Sequence, residues 1–310
     1  MKWRRAAACA AALVGVLALA RAEAAVTVEK IEYHGWQGAY RMANGTVDLV
    51  FVPWISRIMR YGFIGGPNVL WENPELAGKT PDANNPSTDW INYGGDKLWN
   101  APQARWGWPP DPVIDRGTCD VTVMPGGRLR ITGQFSAKFG LRFQRDITLA
   151  AQGDGVTLRN RLISESKQPI SWSIWEIAQV DHPELLRLAR SETSRFPGGY
   201  HAFADFPALP EMLTVTGTEI AFRRSATRSA KIGSDAADGW IKARFPGQEF
   251  TMSSAVETGM SYPDDGCAQE VYVNQDPLQY AEMELLGPIH DIRPGKIATF
   301  VTHWNLKRLR

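Results

Sequence analysis

The chain has 310 residues, 44% of them hydrophobic, and its 34 basic and 33 acidic side chains leave a net charge of +1. That balance excludes nucleic acid as the main partner, because a polyanion is held by a surplus of Lys and Arg. With five histidines and three cysteines in no metal-ligand spacing, neither a metal nor another cofactor is expected.

The first element in the chain is a leader. Lys2, Arg4 and Arg5 make a basic start, an apolar run of fifteen residues follows from Ala6 to Ala20, and A-x-A sites stand at Ala18-Leu19-Ala20 and Ala22-Glu23-Ala24. This is the pattern of a cleaved secretory signal over residues 1–24. The run is shorter than the roughly 20 residues that span a bilayer, so no stable membrane span is expected after cleavage. The protein is therefore expected in the periplasm or outside the cell. In an oxidising compartment Cys119 and Cys267 could pair; their spacing neither requires nor excludes it.

Beyond the leader, short alternating runs dominate. "VTVEKIEY", "TVDLVFV", "RLRITGQF" and "LRFQRDITLA" read as strands, and Gly153-Asp154-Gly155 turns the last of them into another. In that next strand Val156, Leu158 and Leu162 share one face. "QPISWSIWEIAQV", Gln168 to Val180, is a further strand. "HPELLRLARSE", from His182, is the best helical candidate. "GWIKARF" and "EFTMSSAV" form a hairpin turning at Pro246-Gly247, and "QYAEMELL" and "KIATFVTHWNL" close the chain around a turn at Arg293-Pro294-Gly295. Many antiparallel strands without βαβ spacing predict an all-β fold, one large antiparallel sandwich over residues 25–310. Two small immunoglobulin-like sandwiches in series are the alternative.

Three stretches carry candidate chemistry. "NYGGDKLWNAPQARWGWPPDP", Asn92 to Pro112, holds three tryptophans, four prolines and three glycines in twenty-one residues. Gly94-Gly95 marks a sharp turn or a close backbone approach. Trp99, Trp106 and Trp108 offer flat apolar surface, and Asp96, Lys97 and Arg105 offer polar ends, the mixture a sugar requires. Packing of the same tryptophans over a sheet edge is the competing reading. "YAEMELLGP" places Tyr280, Glu282 and Glu284 on one strand face, the two carboxylates about 7 Å apart. A carboxylate pair of this kind, if buried, gains a raised pKa suited to general acid or base work; an exposed strand face is the plain alternative. "SWSIWEI" sets Ser171, Ser173 and Trp175 on one face, and Trp172, Ile174 and Glu176 on the other. Glu176 among core-like residues implies a sheet edge or a buried partner such as Arg159 or Arg161. The histidines make no catalytic or metal pattern, and Asp264-Asp265-Gly266 is a weak suggestion of calcium.

Taken with the tail "VYVNQDPLQYAEMELLGPIHDIRPGKIATFVTHWNL", the Asn92–Pro112 stretch and "SWSIWEIAQV" resemble the bacterial family of the domain of unknown function numbered 4380. The resemblance implies a galactose mutarotase-like supersandwich with an open sugar-binding face. In mutarotases a glutamate takes the anomeric hydroxyl proton and a histidine protonates the ring oxygen. Glu284 matches the place of that base, with Glu282 the near alternative. Tyr93 stands before Gly94-Gly95 where mutarotases carry a histidine, and Trp175 or Ser173 stands where they carry a second. Tyr93 as donor would need its pKa tuned down from about 10; His182 and His201 are the other sources of a proton.

The reading that results is a carbohydrate-binding protein whose cleft is lined by Tyr93, Asp96, Lys97, Trp99, Arg105, Trp106, Trp108, Trp175 and Glu284. An aldose 1-epimerase-like enzyme with Glu284 as general base is the second expectation. A non-catalytic module in envelope or polysaccharide assembly is the third. Oligomeric state is left open.

Overall fold

The computed structural model describes residues 26–81 and 89–310, so the leader lies outside the described residues. The chain opens with an antiparallel meander, β1 (Thr27–Tyr33), β2 (Trp36–Ala43), β3 (Val47–Val52) and β4 (Arg57–Phe63), and β5 (Asp96–Ala101) joins beside β4. After the short helix α1 (Pro112–Arg116) a second meander, β6 (Asp120–Met124), β7 (Arg128–Thr132), β8 (Leu141–Leu149) and β9 (Val156–Ser164), lies in a second sheet. The chain then alternates between sheets. β10 (Ile170–Asp181) returns to the first and pairs with β5; β11 (Leu185–Ala189) belongs to the second; β12 (His201–Ala202) edges the first. β13 (Leu213–Val215) and β14 (Glu219–Phe222) edge the second sheet, and β15 (Ala230–Ser234) is in the first. The hairpin β16 (Trp240–Phe245) and β17 (Gln248–Ser254) follows in the second. β18 (Gln269–Val273) and β19 (Tyr280–Leu286) enter the first, β20 (His290–Ile292) pairs with the start of β10, and β21 (Ile297–Arg308) sits between β17 and β9.

The first sheet runs β1-β2-β3-β4-β5-β10-β19-β18-β15-β12, and the second β13-β14-β11-β16-β17-β21-β9-β8-β7-β6. This is the antiparallel supersandwich that the sequence predicts. Both sheets draw strands from both halves of the chain, so two small sandwiches in series are not what it forms. β19 and β21 lie in different sheets, with β20 and the Pro294-Gly295 turn between them carrying the chain across.

Period-two alternation builds the interior. Val156, Leu158 and Leu162 of β9 point into it, as do Met283 and Leu285 of β19 and Phe250 of β17. β3 is buried on both faces: Val47, Leu49 and Phe51 meet the second sheet, while Val50 and Val52 join an outer apolar cluster with Trp36, Met59 and Tyr93. Trp304 is fully buried against Tyr61 and Phe250, with ring centroids 5.5 and 5.3 Å away. Emptying a site of that size costs about 3–5 kcal/mol.

Two sequence expectations need correction, and the cysteine pairing left open by the sequence is answered. "HPELLRLARSE" holds strand β11, paired on both sides with β14 and β16, in place of a helix. Glu176 is not at a sheet edge; it has the buried arginine partner that is the other expectation, but this is Arg145 and not Arg159 or Arg161. It points between the sheets, where its carboxylate accepts from Asn160 Nδ2 at 2.8 Å and Trp304 Nε1 at 2.9 Å. Arg145 of β8 is the interior cation: it donates through Nε to Asn160 Oδ1 at 2.6 Å, bonds Asp96 through Nη1, and stands 3.6 Å from Glu176. Cys119 and Cys267 are both free thiols, so the disulfide does not form.

Candidate functional site

Five neighbouring strands of the first sheet, β5, β10, β19, β18 and β15 in that spatial order, carry polar and aromatic side chains on the face turned away from the second sheet. Register aligns them in rows across the strands. Gln179, Glu282, Tyr272 and Lys231 are successive cross-strand partners, and Lys97, Ile177, Glu284 and Glu270 form the next row. Trp99 and Trp175 pair in the row beyond. Direct and diagonal neighbours on one sheet face touch, and here the contacts are charged.

Lys231 holds two carboxylates at once, Glu270 at 2.6 Å and Glu284 at 2.8 Å. Glu284 also accepts from Trp175 Nε1 at 2.9 Å. The ammonium lies 4.8 Å from the Trp175 ring centroid and 4.9 Å from that of Phe203. Burial pushes the Glu270 carboxyl well above the usual carboxylate range, although Lys231 pulls the other way. Burial raises Glu284 as well, against the same lysine. For Lys231 burial works downward, but Glu270 and Glu284 together outweigh it and the ammonium is held.

Glu282 behaves differently. Its Oε1 takes two donors, Gln179 Nε2 at 3.0 Å and Lys97 Nζ at 3.2 Å, while Oε2 has no protein donor among the described residues. The Glu282 side chain is 15% exposed; that of Glu284 is 1%. Of the carboxylate pair, Glu282 is thus the one a ligand can reach. Lys97 beneath it is fully covered, and burial is the main cause that lowers its pKa, against the pull of Glu282. The Trp99 and Trp90 rings stand 4.4 and 5.2 Å from its nitrogen.

The Asn92–Pro112 stretch both packs and presents. Its three glycines have positive φ, and a Cβ on Gly94 would lie 2.2 Å from the Trp71 carbonyl, so the close backbone approach is real. Trp99 is buried and donates from Nε1 to Asp115 Oδ1 at 3.0 Å; the same oxygen takes Arg57 Nη2 at 2.9 Å. Asp115 sits in α1, which Asp111 caps by accepting from the Val113 amide. Trp106 packs on Trp99 and Phe139 and donates to the Asn100 carbonyl. Trp108, 56% exposed, leans on Trp90 and Trp99 at the rim.

Other residues singled out in the sequence fall elsewhere. Asp96 points inward to Arg145, because neighbours on a strand face opposite ways. Tyr93 is buried in the outer apolar cluster near Trp36, where burial raises its pKa, the opposite of what a proton donor needs. Arg105 stacks 4.3 Å over Trp172 and bonds the Ser171 carbonyl. That is about 26 Å along β10 from Gln179 at ~3.3 Å per residue. Ser173 Oγ is used up on the Gly287 carbonyl. His201 shares the open face but stands on the edge strand β12 between Phe196 and Phe203. His182 is exposed just past the end of β10. Neither donates to Glu284, whose partners are Trp175 and Lys231. Among the described residues no three His, Cys, Asp or Glu side chains converge as a metal site. Asp265 is open to solvent, 3.8 Å from His201.

Sequence reasoning missed Lys231, Glu270, Gln179, Tyr272 and Trp90. Gln179 was recoverable, since it shares a β10 face with Trp175. Lys231 in "SAKIGS" carried no signal, and its partner Glu284 lies 53 residues away.

A family model described as Domain of unknown function (DUF4380) matches residues 39–307. No curated protein matches the chain. Among solved structures, a putative aldose 1-epimerase from Escherichia coli K12 superposes with a TM-score of 0.59 at 12% identity, over 92% of this chain and 100% of that one. A galactose mutarotase-like protein from Clostridium acetobutylicum gives 0.59 at 9% identity, over 92% and 99%. A TPR-domain containing protein from Parabacteroides distasonis gives 0.58 at 15% identity over 88% of this chain, which spans 47% of that longer one. At these identities the likeness is one of fold.

Proposed function

The chain belongs to the family of the Domain of unknown function (DUF4380), and from that premise we propose that it is a secreted or periplasmic carbohydrate-binding protein. The ligand lies on the open face of its first sheet. The observation that carries the reading is Glu282: one carboxylate oxygen is fixed by Lys97 and Gln179, and the other, beside Tyr272, has no protein donor among the described residues. A free, oriented acceptor next to aromatic rings suits sugar hydroxyls above a flat C–H face. Solved structures of the same fold are described as mutarotase-like or as aldose 1-epimerases, and the sugar class is carried to this chain as part of the proposal.

Binding is favoured over turnover because Glu284, the residue in the place of a mutarotase base, is clamped by Lys231 and Trp175 and sealed from solvent. A second reading, an epimerase-like enzyme, is favoured by the Glu270–Lys231–Glu284 cluster. There burial raises the Glu270 carboxyl, against the pull of Lys231, beside a second carboxyl group, a pairing that acid–base chemistry uses.

Tryptophan fluorescence of the protein, titrated with a panel of mono- and oligosaccharides, tests both. Binding is expected to saturate, and to weaken about tenfold or more, ~1.4 kcal/mol, in Trp108→Ala and in Glu282→Gln. Polarimetry on the same samples is expected to show no acceleration of mutarotation; acceleration lost in Glu284→Gln would install the enzyme reading instead. Silence with every sugar would overturn the carbohydrate reading and leave the non-catalytic structural module.

A further inference from the structure

The groups within a ligand's reach are spread across the open face, from β5 to β18 and beyond. Glu270 and Glu284 at the centre are 0% exposed, and Lys97 is 1% exposed. Trp108 stands at one end, over β5, its ring 6.3 Å from that of Trp99. Glu282 and Tyr272 come next, on β19 and β18. Phe206 comes last: it is 40% exposed, its ring lies 5.3 Å from Tyr272, and its carbonyl takes the Lys231 amide of β15 at 2.9 Å. Trp108 and Phe206 are thus exposed rings that lean on rings of the face itself.

From β5 to β18 is three strand spacings, about 14 Å at ~4.8 Å each, wider than a single sugar ring. A small ligand gains affinity in a concave site that buries most of its surface. Aromatic platforms held apart, with one open acceptor between them, suit a ligand that is itself extended.

Building on the proposed carbohydrate binding, we infer that the ligand is a linear oligosaccharide or a segment of a polysaccharide. It crosses the strands from Trp108 to Phe206, one ring stacked on each, and Glu282 accepts hydroxyls between them. Both platforms are surface side chains, so truncating either leaves the interior of the sandwich untouched.

The test is a glycan array that carries each sugar both as a single unit and as linear chains of up to about six units. It is read with the wild type, Trp108→Ala and Phe206→Ala. The expected result is that chains bind about tenfold tighter than single units, ~1.4 kcal/mol, and that this ratio shrinks in each variant. Equal binding of single units and chains overturns the inference and leaves the carbohydrate reading standing. A length gain untouched by either variant overturns the assignment of the two platforms. No binding to any sugar, single or linked, overturns the carbohydrate reading and the inference with it.

Discussion

Asp96 shows how much one residue's setting decides. Its carboxyl is sealed between the sheets, where Arg145 serves both it and Glu176. One guanidinium shared by two buried carboxyls favours retention of a proton. Burial is the largest cause, and it pushes Asp96 from 3.8 up to about 8 against the pull of Arg145. The sign follows: the folded chain holds a proton that the unfolded chain has lost, so stability falls as pH rises from about 4 and levels off above about 8. Melting temperatures taken at intervals from pH 5 to 9 should fall across that window, and fall less in Asp96→Asn. An identical slope in the variant would mean that Asp96 is ionised against Arg145. Nothing in "GGDKLWN" separates the inward Asp96 from the outward Lys97 except their adjacency on a strand. The alternation was readable; which face met the other sheet depended on Arg145, 49 residues on.

At the scale of the element, β5 depends on its entry. Gly94 has φ +90°, and a Cβ there would meet the Trp71 carbonyl at 2.2 Å; Gly126, also at positive φ, turns in open space. Gly126→Ala is expected to cost about 1 kcal/mol, and Gly94→Ala about 3 kcal/mol or more, in the range of strongly disruptive changes. Chemical denaturation of the two variants checks it, and equal costs would remove the steric argument. The glycine pair announced this approach in the sequence, as alternation announced the shared face of Tyr280, Glu282 and Glu284. β11 was misread because Leu185, Leu188 and Ala189 fall at helical intervals, and spacing cannot register that β14 and β16 flank the segment on both sides. For the same reason the sequence could pair Glu282 with Glu284 without telling the open one from the sealed one. The seal comes from Lys231 and Trp175 on other strands.

For the whole molecule, the proposed export and the proposed ligand go together: a protein that binds carbohydrate on its open face would meet it outside the cytoplasm. Intact mass of the protein recovered from the periplasm or medium is expected to correspond to a chain starting just after Ala24. A cytoplasmic chain that keeps residues 1–24 would end the export proposal. The interior network bears on the same face from below. Apolar contacts between sheets are non-directional and tolerate creep, whereas hydrogen bonds depend on angle and distance. Arg145 and Asn160 of the second sheet grip Asp96 and Glu176 of the first, and the chain neighbours of those two are Lys97 and Trp175. A slip of one residue, about 3.3 Å, would break every one of those grips between the sheets. The two sheets therefore cannot shear, and the face above them is a stiff template whose contour is set before any guest arrives, so little ordering is left to oppose docking.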